Sequence, residues 1–216
     1  MLELKDIRIQ FENNIVFDDL SHCFDTSSIT CIKTGVLDGG TSLLKCCAGI
    51  IKPALGSVSL DGRSIENIND QDIFNDINFC YESGGLVSIF TVYNNIALPM
   101  VYHGKYTEKE IRQRIKDIAK KLGIADLLQV EPHQLNDVHT RLANLTRALV
   151  ISPKLLLVDE LQAGMSPEMR EAVLEVLTDY QKRDEFTLIM TTTAGDENSF
   201  ADYRYKIFEQ HLVETT

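Results

Sequence analysis

PKLLLVDELQAGMSP, running from Pro153 to Pro167, decides the fold. Its first half, Leu155 to Glu160, is an unbroken apolar run that ends on two acids. A strand with one wet face alternates apolar and polar residues, so this run predicts a parallel strand buried on both faces. The second half closes on Ser166-Pro167, a pair suited to the N-cap and first-turn positions of a helix. Val173, Leu174, Val176 and Leu177 carry that helix onward. Strand, short loop and helix in succession are the building unit of an α/β sheet.

Outward from this unit the same alternation continues. Downstream, Phe186 to Met190 is another buried-strand run, and Tyr205 to Val213 reads as a terminal hairpin. Upstream, a helix covers about residues 139–151. Before it, Thr107 and Glu110 have the spacing of a capping box, Ile111, Ile115, Ile118 and Leu122 form the apolar stripe, and Gly123 stops the helix. Ile77 to Tyr81 is a strand, and Glu82 to Pro99 reads as a loop-rich connection. At the beginning, Leu2, Leu4, Ile7, Ile9 and Phe11 alternate with polar residues, Asn13-Asn14 is a turn, and Ile15 to Phe24 is a second strand. Ile29 to Ile32 is a short apolar strand that runs into the glycine-rich segment Gly35 to Gly40. A helix marked by Leu43, Leu44, Cys47 and Ile51 follows and is stopped by Pro53, and Gly56 to Gly62 is a strand and turn. The expectation is a mostly parallel central sheet, an N-terminal antiparallel β part, and an inserted helical lobe over about residues 90–150.

The 216 residues are 44% hydrophobic and 25% charged, which suits one globular domain over 1–216 rather than disorder. A formal net charge of −11 argues against a nucleic-acid partner, because a phosphate backbone selects a basic face. The five cysteines, Cys23, Cys31, Cys46, Cys47 and Cys80, form neither a CxxC pair nor a zinc-ligand pattern. Most lie in apolar runs, where cysteine acts as a small buried hydrophobe, and a reducing compartment fits them. No run approaches the ~18 apolar residues of a bilayer span, and no signal-peptide pattern opens the chain. Membrane association is therefore expected to come through a partner.

Five stretches, in this order, resemble the ATPase subunits of ABC transporters over nearly the whole chain. ITCIKTGVLDGGTSLLK resembles the family's phosphate loop, AGIIKPALGSVSLDG the segment after it, and ESGGLVSIFTVYNNIALPM the Q-loop region of the Mla/Mce lipid-trafficking subgroup. HQLNDVHTRLANLTRAL keeps the flanks of the signature segment, and PKLLLVDELQAGMSP is similar to the Walker B strand and D-loop. The resemblance implies a P-loop NTPase-like fold, ATP and Mg²⁺ as cofactors, and an ABC membrane permease subunit as partner. It also implies a second ATP-binding subunit, identical or different, and a cytoplasmic position at the inner face of the membrane. Contact with the permease is expected through Leu86, Phe90, Val92 and Tyr93.

By that resemblance, the nucleotide is held by Phe11, Gly35, Gly39, Gly40, Thr41 and Ser42, the metal by Thr41, Asp159 and Glu82, and Glu160 is the catalytic base. The match breaks where phosphate is handled. A working phosphate loop needs a lysine that reaches the β/γ oxygens. Aligned without a gap, Gly40 stands at the lysine; aligned on Gly35 and Gly40, Thr41 does. Neither alignment restores it. Asp38 adds a carboxylate to the same loop. Losing a charge-assisted contact forfeits roughly 1.5–3 kcal/mol. A carboxylate about 5 Å from a phosphate, at an effective dielectric near 20, adds roughly 3 kcal/mol of repulsion. Together these weaken binding by about a thousandfold or more. On this account Asp38→Ser with Gly40→Lys restores nucleotide affinity.

Asn136, Asp137 and Val138 replace the Ser-Gly-Gly of the signature, Glu82 the Q-loop glutamine, and Thr193 the switch histidine. For the survivors two readings stand side by side. Asp159 and Glu160 act on Mg²⁺ and water, or they simply end a buried strand. Phe11 stacks on adenine, or it belongs to the core. The glycine-rich loop holds phosphate, or it is a turn that binds nothing. Three functions follow: a structural or regulatory pseudo-ATPase of a transport complex, possibly for lipid; a weakly active ATPase using Asp159 and Glu160; and a sensor holding another anion or metal in the old cleft.

Overall fold

In the computed structural model, which describes residues 1–65 and 75–215, the apolar run becomes strand β7 (Leu155–Val158). It lies in a six-stranded sheet of order β10-β9-β3-β8-β7-β6, formed with β3 (Ile29–Lys33), β6 (Ile77–Cys80), β8 (Thr187–Thr192), β9 (Tyr203–Phe208) and β10 (His211–Glu214). All neighbours are parallel except the terminal hairpin β9–β10. Successive residues of β7 and β8 serve two different cores. Leu155, Leu157 and Ile189 join the core beneath the N-terminal sheet, while Leu156, Val158, Leu188 and Met190 join the core under the helical lobe. Both faces are apolar because both are covered, which is why the sequence run has no polar interruptions.

The smaller sheet is antiparallel, in the order β2-β1-β4-β5, from β1 (Leu2–Phe11), β2 (Asn14–Phe24), β4 (Leu55–Leu60) and β5 (Arg63–Ser64). Leu2, Leu4, Ile7 and Ile9 of β1 turn inward against helix α1 (Gly40–Cys47) and the second core. Helix α1 ends four residues before Ile51, where the sequence pattern carries it, because Gly49 takes a left-handed φ of 69°. A Cβ there would meet Ile65 Cγ2 at 2.6 Å.

The helical lobe contains α2 (Val92–His103), α3 (Glu108–Lys121) and α4 (Asp137–Leu149), and α5 (Pro167–Asp184) follows β7. The capping signals hold: both bonds of the Thr107–Glu110 box form, and the Ser166 hydroxyl accepts from Met169 N–H at 3.3 Å. Helix α4 begins two residues before His139 because Asn136 caps it, accepting from His139 N–H at 2.8 Å. The segment expected to be loop-rich is half helix. Thr91 caps α2, and the fully buried Asn95 side chain accepts from Val87 N–H and donates to the carbonyls of Val87, Phe90 and Thr91. One side chain thus satisfies a buried loop and ties it to the helix it precedes.

That packing also sets how accessible the residues expected to meet a permease are. Val92 is fully buried, and Leu86 and Tyr93 are partly buried against the lobe core. The exposed apolar side chains of the region are Val87, Ile89, Leu98, Val101 and Tyr102. Among the described residues no helix is long and apolar enough to cross a membrane.

Candidate functional site

Strands β3, β8 and β7 are neighbours and parallel, so their C-terminal ends open onto one edge. In open α/β sheets this edge is where ligands are bound. Out of β3 come Thr34 to Gly39, out of β7 come Asp159 and Glu160, and out of β8 comes Thr193. The sheet order therefore brings Gly35, Gly39, Gly40, Thr41, Ser42, Asp159 and Glu160 to one place. Phe11 ends β1 in the other sheet and is about half exposed (47%), so it is not a core residue.

Gly39 is the N-cap of α1 with φ 96°. A Cβ on it would meet Val16 Cγ1 at 2.1 Å and Phe17 Cε2 at 2.9 Å, so β2 presses directly on the loop and requires glycine. Gly40 is crowded from another side. A Cβ there would lie 2.3 Å from Thr34 Cγ2 and 3.2 Å from Thr191 Cγ2. Thr34 is held in place by its hydroxyl, which donates to the Thr192 carbonyl at 3.2 Å, and by its N–H to the same oxygen at 2.8 Å. The threonine methyl fills the space that any side chain at position 40 needs.

Asp38 turns into the loop. Its carboxylate accepts from Gly35 N–H through Oδ2 and from Gly40 N–H through Oδ1, the latter at 3.3 Å. These amides belong to the part of the loop expected to face phosphate. The simple picture of a repelling charge is therefore incomplete, because the carboxylate is a partner of the loop itself. Val36 and Leu37 at the tip are 94% and 97% exposed, and Leu37 holds a left-handed φ of 62°.

The acidic end is arranged differently. Asp159 is buried, and its Oδ1 accepts from Thr191 Oγ1 at 2.8 Å and from Thr41 Oγ1 at 3.2 Å. Glu160 N–H donates to Thr191 Oγ1 at 2.9 Å, and Glu160 takes a left-handed φ of 42°. Burial, then the carboxylates of Glu82, Asp159 and Asp196, push the Glu160 carboxyl above its ordinary range. Thr193 is engaged by Asp196, whose Oδ2 accepts from the Thr193 amide at 2.8 Å and hydroxyl at 3.1 Å. Among the described residues no group of three or more His, Cys, Asp or Glu side chains is placed to hold a metal ion. Burial pushes the Cys31 and Cys80 thiols up to about 12, so neither supplies a thiolate near neutral pH.

One constellation escaped the sequence. Arg141, Asn144 and Arg147, three apart on one face of α4, hold the backbone of residues 82–85. Arg141 Nη1 donates to Glu82 O at 3.4 Å, Asn144 Nδ2 to Gly84 O at 2.7 Å and Arg147 Nη1 to Gly85 O at 2.7 Å. Arg147 Nη2 also donates to Asn144 Oδ1 at 2.8 Å, and Arg141 Nη2 reaches Ala163 O at 2.7 Å. Polar residues at i, i+3 and i+6 inside an otherwise buried helix face were the available signal. Asn136, meanwhile, spends its side chain capping α4, and Asp137 sits in the first turn, where the helix dipole favours an acid.

ATP and Mg²⁺, the expected cofactors, fit these residues only in part. The Thr41–Asp159 contact is suited to a magnesium ion held by a hydroxyl and a carboxylate. The phosphate side is not, since two loop amides already have a carboxylate and position 40 has no room for a side chain.

Similarity to known proteins agrees with the architecture. Residues 35–163 match the model of the family described as ABC transporter. The tungstate uptake ATP-binding protein TupC of Peptoclostridium acidaminophilum is 29% identical over 91% of this chain and 88% of its own length. The intermembrane phospholipid transport ATP-binding protein MlaF of Haemophilus influenzae is 25% identical over 99% of this chain and 82% of its own. The methionine import ATP-binding protein MetN of Haemophilus ducreyi is 26% identical over the whole chain, which spans 64% of MetN. The solved dimeric cassette MJ0796 superposes with a TM-score of 0.89 over 100% of this chain and 98% of its own, at 19% identity. With more than half its length matching the family model, this chain belongs to the ABC transporter family and has the fold of its ATP-binding subunits.

Proposed function

We propose that this chain is a pseudo-ATPase: an ABC-type subunit that keeps the fold and the permease-facing surface but not the handling of phosphate. One observation carries the reading. The space for a side chain at position 40, where the gapless alignment puts the family's lysine, is filled by the Thr34 methyl. A lysine lost by drift leaves a vacancy; here the vacancy is packed. The supporting changes point the same way, with Thr193 and Asn136 engaged in local bonds where the family has a switch histidine and a signature serine. Weak or absent ATP binding follows.

In this reading the subunit is peripheral to the membrane and docks on a permease subunit through Ile89, Val101 and Tyr102, which are 81%, 62% and 62% exposed. The likeness of residues 82–100 to the Mla/Mce subgroup favours a lipid-transport complex. A second reading, a weakly active ATPase, draws on the Thr41–Asp159 contact and the raised Glu160 carboxyl, which suits a general base.

Titration of the purified chain with a fluorescent ATP analogue and Mg²⁺, beside a working MlaF, separates the two. The pseudo-ATPase reading expects no saturable binding in the range where MlaF saturates, and hydrolysis no faster than in Glu160→Gln. Wild-type turnover clearly above that variant would hand the case to the second reading.

A further inference from the structure

We propose that Asp38 is the resident anion of this loop: its carboxylate takes the place of a bound phosphate, so the loop is complete without a nucleotide. The proposal rests on the pseudo-ATPase reading for its biological sense, but its physical content concerns one side chain. A turn that gathers backbone N–H groups at the start of a helix favours a negative partner, because the positive ends of several peptide dipoles converge there. Nucleotide-dependent loops take that partner from the ligand. Here Asp38 Oδ2 receives Gly35 N–H, and Oδ1 receives Gly40 N–H at 3.3 Å. The two amides flank the loop, one at its entrance and the other on the first residue of α1, so one carboxylate closes it from end to end.

The surroundings keep that closure in place. Gly39, between the carboxylate and the helix, is locked by Val16 and Phe17, and Gly40 is pressed by the Thr34 methyl. The acid therefore sits on a rigid support and does not depend on a ligand to order it. Asp38 is then the residue that excludes an external phosphate, by occupying its hydrogen-bond donors as well as by its charge.

The test is rescue by an anion. Thermal unfolding of wild type, Asp38→Ala, Asp38→Ser and a charge control, Glu175→Gln, is followed in chloride and in inorganic phosphate at equal ionic strength. Asp38→Ala should unfold about 3–6 °C below wild type in chloride and recover at least half of that loss in phosphate. Wild type and Glu175→Gln should respond to phosphate equally and weakly. Asp38→Ser, which keeps a small acceptor without charge, gives the same pattern at smaller amplitude if the alanine variant is too unstable to study. Equal stability of Asp38→Ala and wild type, or a loss that phosphate does not repair beyond the control, would overturn the proposal. An MgATP arm keeps the two claims apart. ATP-dependent stabilisation of wild type would sink the pseudo-ATPase reading, whereas the resident anion is decided by phosphate rescue confined to Asp38→Ala, whatever the role of the subunit.

Discussion

The two ends of the site have been treated differently. At the acidic end, Asp159, Thr41 and Thr191 form a connected set of hydrogen bonds of the kind a metal-assisted site needs, with Glu160 one residue further on. At the phosphate end, the Thr34 methyl packs against Gly40 and Asp38 takes the Gly35 and Gly40 amides, so two loop donors and the room for a side chain at position 40 are already used. Both ends are well packed, so a tidy structure alone does not distinguish a site in use from one closed off. What differs is where the polar groups are satisfied: one end accepts hydroxyls that can be shared with a metal ion, the other uses its amides internally.

The largest effect is expected at the packed vacancy. Gly40→Ala should destabilise the chain by about 2–3 kcal/mol, since its Cβ meets a held threonine methyl. Thr34→Ser removes that methyl while keeping the hydroxyl bond to Thr192, and should return most of the loss. A coupling of about 1–2 kcal/mol in a denaturant-based double-mutant cycle measures the packing. Additive effects would mean the space is not shared. The same geometry revises the expectation that Asp38→Ser with Gly40→Lys restores affinity: the lysine needs Thr34→Ser as well.

A smaller effect is expected at the clamp on residues 82–85. Asn144→Ala leaves the Gly84 carbonyl unpaired and removes a partner of Arg147, which should cost about 1–2 kcal/mol. Hydrogen exchange should quicken at residues 84–87, next to the backbone freed by the change, while β7 stays protected. Uniform acceleration through the core would show that Asn144 matters for folding in general and not for holding this segment.

The smallest effect concerns charge. Ionised Glu160 is disfavoured in the folded state by burial and by Glu82, Asp159 and Asp196. Its carboxyl range is raised on folding, so the fold bears the penalty at pH values above that range and is relieved as pH falls through it. Glu160→Gln should therefore raise the melting temperature by about 1–2 °C at pH 8, with the gain shrinking toward pH 4. A gain that grows on acidification has the wrong sign and would show that Glu160 is stabilised as a carboxylate.

Much of the architecture was legible because it depends on local chemistry. The unbroken run Leu155 to Val158 announces burial on both faces, and Thr107 with Glu110 announces the start of α3, since a capping box involves only residues three apart. Helix α2 was missed because Pro99 and the asparagines weaken its pattern, and its start depends on Asn95 satisfying a loop that precedes it. The missing lysine, too, could be read from the chain, as could the unusual acid at position 38.

The chain alone thus carries most of the succession of strands and helices, the Thr107 and Ser166 caps, and the chemical types gathered at the sheet edge. Hydrophobic period and side-chain-to-backbone bonding act within a few residues and leave their mark on the chain. Only the tertiary structure decided that Thr34 fills the space at Gly40, that Asp38 faces the loop amides, and that α4 grips residues 82–85. These are contacts between segments whose distance and direction are set by sheet order and helix placement, and neither composition nor spacing encodes which atom of a side chain meets which amide.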